Sequence, residues 1–270
     1  MKLQTKIHIA KADFKIRPTD NLLFVGSCFA SEMGKRFADN GFKVTVNPYG
    51  TMYNPASILH TISRFEKSSD VVIITLGTNH VYILNETGEI VDNCHKRPAA
   101  LFTERTLTVS ECMDYLRKSI DVLLKNNPYC KVIFTVSPIR YQKYGFHESR
   151  LSKATLLLAV DELINSFKGE KYNGKPVYYF PAYEIMDDEL RDYRFYKPDM
   201  LHPSEQAVDY INELFCDACI SDDARLFIDE WQPIKQALSH RPFNPDSEEY
   251  KMFIEKTKKK ETEFRQKWRL

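Results

Sequence analysis

Residues 24–30 read Phe-Val-Gly-Ser-Cys-Phe-Ala, an apolar run that passes through one glycine and one serine directly into a helical pattern. A strand that turns straight into a helix is the repeating unit of parallel sheets, because their strands are joined by helical crossovers. In an open α/β sheet, ligands bind outside the carboxyl ends of the strands. This segment therefore predicts a parallel sheet and places a candidate functional site at the turn that holds Ser27 and Cys28.

The same alternation of short apolar runs and helical patterns continues along the chain. Between the runs, apolar residues recur at spacings of three and four, as they do on one face of a helix. This order predicts a three-layer α/β/α sandwich of the flavodoxin-like type with a central, parallel, five-stranded sheet. The predicted strands are Leu22–Gly26, Phe42–Val46, Val71–Leu76, Val132–Ser137 and Val177–Phe180, and the predicted helices are Phe29–Asn40, Pro55–Phe65, Ser110–Asn126, Ser152–Phe167 and Ser204–Cys216.

Two segments fall outside this alternation. Residues 85–107 carry turn signals and no sustained period, so we expect an inserted loop or hairpin there. Residues 1–220 are predicted to form the α/β/α domain, and residues 221–270 a helical, charged C-terminal extension. We expect the extension to pack its aromatic side chains on the first domain or on a second copy of the chain. Packing on a second copy would make a homodimer.

The composition limits the classes of function. The 270 residues include 38 Lys and Arg against 37 Asp and Glu, a net charge of +1, so no overall positive field attracts nucleic acid. The longest apolar runs, such as Val71–Leu76, are too short to span a membrane, and no apolar stretch of a signal peptide follows Met1. We therefore expect a cytoplasmic protein without nucleic-acid partners, whose six cysteines are free thiols.

Three short polar motifs form the candidate site. Ser27 and Cys28 stand at a helix start, where free N–H groups and the helix dipole stabilise a thiolate or an oxyanion. Asn79 follows the third predicted strand and offers an amide donor. Asp199 precedes His202 by three residues, a spacing at which the carboxylate can orient the imidazole and leave its second nitrogen to act as a base. Each motif alone also fits a structural role, as a helix cap or a turn.

In this order the motifs resemble the SGNH hydrolase superfamily. More closely, residues 26–30, Gly-Ser-Cys-Phe-Ala, resemble the signature of the GSCFA domain family, a bacterial group. The segments Asn93–Lys96, Ser137–Arg140, Ser152–Leu156 and Asp199–Ser204 also look like that family, so the resemblance covers residues 20–215. It implies an SGNH hydrolase-like α/β/α fold and chemistry on ester bonds.

The resemblance also implies which residues react. Setting Gly-Ser-Cys of this chain against Gly-Asp-Ser of the superfamily places the nucleophile at Cys28, whereas a second register keeps Ser27 as the nucleophile. His202 is then the base, and Asp199 orients it. A thiol has physical support here, because a helix N-terminus and an imidazolium both favour the thiolate.

The surroundings of the nucleophile follow from the same resemblance. Gly50, after the second strand, and Asn79 are implied as oxyanion donors. His80, His147 and Arg140 are expected near the substrate, although a solvated loop suits His147 equally well. We expect no metal and no cofactor.

These residues predict acyl transfer through a covalent acyl-enzyme. The expected substrate is an O-acylated, carbohydrate-like ester or a thioester, and the expected enzyme is an esterase. Two alternatives remain open at this point. One is an acyltransferase that acts on a sugar hydroxyl, and the other is a non-catalytic carbohydrate-binding module of the same fold, with sugar-stacking tyrosines such as Tyr178 and Tyr193.

Overall fold

Helices and strands alternate along most of the chain. The computed structural model describes residues 5–167, 176–244 and 246–269, so the two predicted domains extend beyond the described residues. In chain order the elements are β1 (Asn21–Gly26), α1 (Cys28–Asp39), β2 (Lys43–Val46), α2 (Pro55–Arg64), β3 (Val71–Leu76), β4 (His80–Leu84), β5 (Ile90–Val91), β6 (Phe102–Thr106), α3 (Val109–Asn126), β7 (Lys131–Val136), α4 (Gly145–Ser166), β8 (Val177–Tyr179), α5 (Ala182–Glu184), α6 (Glu205–Cys219), α7 (Asp222–Ser239) and α8 (Glu248–Trp268).

Five parallel strands form the central sheet, in the order β2-β1-β3-β7-β8. Alternate residues of β1 serve two separate cores, with Leu22 and Phe24 in one and Leu23 and Val25 in the other, as the pleat of a strand requires. The first core includes side chains of α1, α6 and α7, and the second includes side chains of α2, α3 and α4. The predicted α/β/α sandwich with a five-stranded parallel sheet is confirmed.

The inserted segment after β3, residues 80–106, is larger than predicted, and we call it the excursion. It begins at His80 instead of residue 85 and forms a separate antiparallel sheet in the order β5-β4-β6. β4 pairs with β6 from His80 opposite Thr106 to Leu84 opposite Phe102. The excursion therefore starts directly at the carboxyl end of β3, beside the candidate site.

Helix α4 also begins earlier than predicted, at Gly145 instead of Ser152. The apolar period does not show its first two turns because their buried side chains are the hydroxyls of Ser149 and Ser152, while Phe146 and Leu151 are exposed. A helix that buries polar side chains in this way carries no apolar stripe for a sequence pattern to reveal.

Helices α7 and α8 follow α6 and cover one edge of the first core. Phe227, Trp231 and Ile234 of α7 and Phe264 of α8 are buried in that core. No helix within the described ranges is long and apolar enough to cross a membrane. The division of the chain at residue 220 stays a prediction, since the first core includes side chains from both sides of it.

We expect Phe264→Ala to lower the free energy of unfolding by about 3 kcal/mol, because it leaves a cavity between α7 and α8. The Phe264 ring is 6% exposed and its centroid lies 4.9 Å from that of Phe227 and 5.2 Å from that of Trp231. Phe253 of the same helix is 40% exposed, so Phe253→Ala is the matched control and should cost less than about 1 kcal/mol. Urea unfolding followed by circular dichroism measures both, and equal losses would contradict this packing.

Candidate active site at the carboxyl ends of the strands

Gly26 allows β1 to turn into α1 within one residue. Its φ is +134°, and a Cβ atom there would lie 2.1 Å from the carbonyl oxygen of Thr75, so a side chain is excluded both by conformation and by space. The Gly26 N–H donates to Oδ1 of Asn47 at 2.9 Å, which ties the turn to the loop after β2. The turn delivers Ser27 and Cys28 to the carboxyl edge of the sheet.

Ser27 and Cys28 have different environments. Ser27 is the N-cap of α1; its Oγ accepts the N–H of Phe29 at 3.3 Å and lies 3.0 Å from Oγ1 of Thr75. The side chain is 1% exposed. Cys28 is the first helical residue and is half-buried, and its Sγ lies 3.4 Å from the hydroxyl oxygen of Tyr53. The Ser27 hydroxyl is thus buried and hydrogen-bonded, whereas the Cys28 thiol is accessible.

Tyr53 joins two of the predicted motifs, although sequence analysis did not identify it. Its carbonyl accepts the N–H groups of Gly77 and Thr78, both at 2.8 Å, while its hydroxyl contacts Cys28. Burial and the contact with Cys28 raise the pKa of the Tyr53 phenol, so it keeps its proton at neutral pH and can donate to the sulfur. Its place between β2 and Pro55, the first residue of α2, was the available sequence signal.

Asp199 and His202 lie within hydrogen-bond distance of each other. Nδ1 of His202 is 2.6 Å from Oδ2 of Asp199, and Oδ1 of Asp199 accepts the backbone N–H groups of His202 at 3.0 Å and Leu201 at 2.9 Å. These backbone bonds and the imidazole lower the pKa of Asp199 to about 2, so the carboxylate is ionised at neutral pH. A proton on Nδ1 leaves Nε2 free as an acceptor. Among the described residues, no hydrogen bond joins His202 to Cys28.

Arg140 holds the loop that carries His202. Its backbone N–H donates to the carbonyl of Leu201 at 3.0 Å, and its guanidinium donates to the carbonyl of Met200 at 2.9 Å. Met200 has a φ of +58°, a left-handed conformation that such contacts help to maintain. The carbonyl of His202 accepts the N–H of Lys197 at 2.7 Å. Arg140 therefore connects the carboxyl end of β7 with the His202 loop.

The two predicted oxyanion donors are already engaged in hydrogen bonds. The Gly50 N–H donates to the carbonyl of Asn47 at 2.9 Å, so that bond would have to open before Gly50 could hold an oxyanion. Asn79 is 4% exposed, and its Nδ2 donates to the carbonyl of Leu107 at 2.7 Å. Its Oδ1 has no partner within the described ranges. As a donor, Asn79 has its second amide hydrogen left for a substrate.

His80 and a row of tyrosines line one side of the site. The His80 ring stacks on Tyr144 at a centroid distance of 4.0 Å, and burial lowers its pKa. Tyr144 is 5.8 Å from Tyr141, which is 6.4 Å from Tyr53. We call His80, Tyr144, Tyr141 and Tyr53 the aromatic row. His147 is exposed in the first turn of α4 and forms no hydrogen bond or ion pair with another described residue.

Helix α4 supplies two buried polar side chains below the site. Nζ of Lys153 donates to the carbonyls of Gly77 and Ser137, both at 2.8 Å, and the side chain is 3% exposed. Oγ of Ser152 accepts the Asn79 N–H at 2.9 Å. The two residues thus join the ends of β3 and β7. The sequence marks them only as part of a family-like segment, Ser152–Leu156.

The geometry is compatible with nucleophilic chemistry, and no group of three or more His, Cys, Asp or Glu side chains in the described part of the chain is arranged to hold a metal ion. The sequence model of the GSCFA family matches residues 21–69 and 61–215, and that of the GSCFA domain protein, C-terminal domain, matches residues 231–269. The chain belongs to the GSCFA family. A comparison with curated proteins finds no match.

Solved structures similar to this GSCFA chain include a carbohydrate esterase family 3 protein from Talaromyces cellulolyticus, with 12% identity, a TM-score of 0.47 and coverage of 78% of this chain and 99% of the other. An acetyl-xylooligosaccharide esterase variant from Geobacillus Stearmophilus is 14% identical, with a TM-score of 0.45 and coverage of 76% of this chain and 96% of the other. An acetyl esterase variant with an acetate ion is 12% identical, with a TM-score of 0.45 and coverage of 82% of this chain and 100% of the other. At these identities the likeness concerns the fold alone.

Lys153 should make the free energy of unfolding depend on pH. Burial lowers the pKa of its ammonium group from 10.5 to about 7, although the two carbonyl acceptors favour the charged form. Between pH 7 and 10.5 the unfolded chain then binds more protons than the folded chain, so stability rises with pH, with a slope approaching about 1.4 kcal/mol per pH unit.

We expect Lys153→Met to remove this slope. The measurement is urea unfolding of wild type and variant at several pH values from neutral to weakly alkaline, and the quantity compared is the change in stability with pH. Lys118→Met, at an exposed lysine of α3, is the control and should keep the wild-type slope. A wild-type slope retained in Lys153→Met would show that Lys153 is charged in both the folded and the unfolded state.

Proposed function

We propose that this GSCFA-family protein is an acyl-transfer enzyme that hydrolyses an O-acyl ester through a covalent acyl-enzyme on Cys28. The observation that carries the proposal is the imidazole of His202, held at Nδ1 by an ionised Asp199, at the same edge of the sheet as the accessible thiol of Cys28. A base oriented by a carboxylate and a nucleophile at a helix start are two parts that nucleophilic catalysis needs.

Cys28 is preferred to Ser27 as the nucleophile because of their contacts. The Ser27 hydroxyl already caps α1 and contacts Thr75, so its attack on a substrate would leave the Phe29 N–H without its acceptor. Among the described residues, the one hydrogen-bond partner of the Cys28 thiol is the Tyr53 hydroxyl, and that hydroxyl can donate to a thiolate. These contacts support the register that aligns Cys28 with the catalytic serine of SGNH hydrolases.

The reaction would proceed in two halves. Nε2 of His202 takes the thiol proton, Sγ of Cys28 attacks the ester carbonyl, and the carbon–oxygen bond breaks as the proton passes to the leaving alcohol. Water then attacks the thioester, giving its proton to His202, and the carboxylic acid leaves as the thiol is restored. His202 and Cys28 must approach each other once substrate binds, as catalytic hydrogen bonds often tighten only in the complex.

Negative charge on the carbonyl oxygen would be stabilised by groups around the α1 start. The backbone N–H of Cys28 and the second amide hydrogen of Asn79 are the proposed donors, with Gly50 contributing if its turn opens. Each donor of this kind contributes through a bond that strengthens as charge develops on the oxygen. The buried position of Asn79 favours such a role, since a hydrogen bond is electrostatically stronger where water is excluded.

The direct test is the intact mass of the protein after incubation with 4-nitrophenyl acetate. We expect an acetyl adduct that maps to Cys28, is absent in Cys28→Ala, and is lost or strongly slowed in His202→Ala. His240→Ala, at the residue that follows α7, is the control and should label like wild type. An adduct on Ser27 would move the nucleophile by one residue, and binding of carbohydrate without any adduct would establish the binding-module alternative.

Asn79→Ala should lower kcat by about 10²- to 10³-fold, as expected when one oxyanion donor is removed. Hydrolysis of the same ester at saturating substrate measures this, and circular dichroism checks the fold because Asn79 also anchors the carbonyl of Leu107. Asn85→Ala is the matched control, since Asn85 also donates to a carbonyl but lies in the excursion. A kcat within about threefold of wild type in Asn79→Ala would overturn the oxyanion assignment.

A further inference from the structure

Two adjoining cavities lie beside the loop that carries His202. Their volumes are about 260 and 140 Å³, and they share the side chains of Arg140, Arg150 and Tyr196. Arg191 and Tyr193 also line the outer cavity. We call the space between these five side chains the arginine cleft. The inner cavity reaches the buried Lys153.

The cations of the arginine cleft are only partly neutralised. Arg150 is paired with Asp187 at 2.6 Å. The guanidinium of Arg140, in contrast, donates to a neutral carbonyl and lies 4.1 Å from the centroid of the Phe146 ring. Arg191 is exposed and forms no hydrogen bond or ion pair with any described residue.

One further carboxylate, Asp192, lines the outer cavity, and its contacts are with Arg194. Its Oδ1 accepts the N–H of Arg194 at 2.9 Å, and its Oδ2 lies 3.9 Å from the Arg194 guanidinium. Arg194 does not line the arginine cleft. Arg140 and Arg191 therefore present positive charge that no carboxylate lining the cleft neutralises.

The arginine cleft adjoins the loop that carries His202. Arg140 contacts the carbonyls of Met200 and Leu201, which lie next to His202. Tyr196 is bridged to Pro203, the residue after His202. A ligand in the arginine cleft would thus touch side chains that hold the His202 loop.

We propose that the arginine cleft binds an anionic group, a carboxylate or a phosphate, carried by the ester that the active site cleaves. A guanidinium offers parallel N–H donors that match the oxygens of either group. The aromatic faces of Tyr193 and Tyr196 suit a ring that bears such a group. The role in substrate choice rests on the proposed esterase function, whereas the binding of the anion does not.

The test compares two acetyl esters with the same ring and acyl group, 4-acetoxybenzoate and the uncharged 4-acetoxybenzamide. We expect kcat/KM to be about tenfold higher for the carboxylate, as one charge-assisted contact can provide. Arg191→Ala should lower the ratio of the two kcat/KM values by about tenfold, and Arg191→Lys should restore part of it. Arg241→Ala, at an exposed arginine that lines neither cavity, is the control and should keep the wild-type ratio.

Direct binding separates failure of the cleft from failure of the esterase function. Calorimetry with benzoate and with phenyl phosphate should show binding to wild type and to Cys28→Ala, and loss of binding in Arg191→Ala. Arg191-dependent binding without cleavage of either ester would keep the anion site and overturn the esterase function. Cleavage of both esters at equal kcat/KM, or no binding of either anion, would overturn the anion site. The tighter of the two anions identifies the group that the cleft prefers.

Discussion

The site depends on how closely β1 approaches β3 at the point where β1 ends. The Ser27 N–H donates to the carbonyl of Thr75 at 3.0 Å, and the space that a side chain at Gly26 would need is filled by the same carbonyl. This approach fixes both the direction in which α1 leaves the sheet and the depth at which its first residues lie. As a result, Ser27 is buried as a cap and Cys28 emerges at the surface. A bulkier residue at position 26 would separate the strands and displace both.

A layer of buried polar side chains lies beneath this turn. Thr75, Thr78, Ser137, Ser152 and Lys153 are all buried there. Burying such groups is costly unless each finds a partner, and here the hydroxyl of Ser152 and the amino group of Lys153 bind the groups left free at the strand ends. These bonds fix the strand ends relative to one another, which a purely apolar floor would do with less directional specificity.

The alternation of short apolar runs with helical patterns of period 3.6 predicts the five strands, their parallel arrangement and most of the helices, because each of these is visible in local apolar spacing. The local spacing of Asp199 and His202 likewise anticipated a contact that the structure contains. The sequence does not predict the roles of Tyr53 and Lys153, because their hydrogen-bond partners lie far along the chain. Tyr53 contacts Cys28 and Gly77. Lys153 donates to Gly77 and Ser137. The hydrogen bond from Asn79 to the carbonyl of Leu107 also joins residues far apart in the sequence. The bond from Gly50 to the carbonyl of Asn47 is local, but it depends on a turn geometry that the sequence alone does not specify.

The two sides of the site come from segments that the central sheet does not require. The aromatic row is held by the excursion after β3, where Nζ of Lys143 donates to Glu104 of β6 at 2.7 Å and His80 of β4 stacks on Tyr144. The arginine cleft is built largely by the segment between α5 and α6, which supplies Arg191, Tyr193 and Tyr196. The sheet and α1 position the thiol, and the loop before α6 positions the imidazole. Since the two sides have different chemistry, one aromatic and one cationic, a substrate that fits both would carry a ring and a negative charge. Changes in these segments could therefore alter substrate choice without disturbing the turn at Gly26.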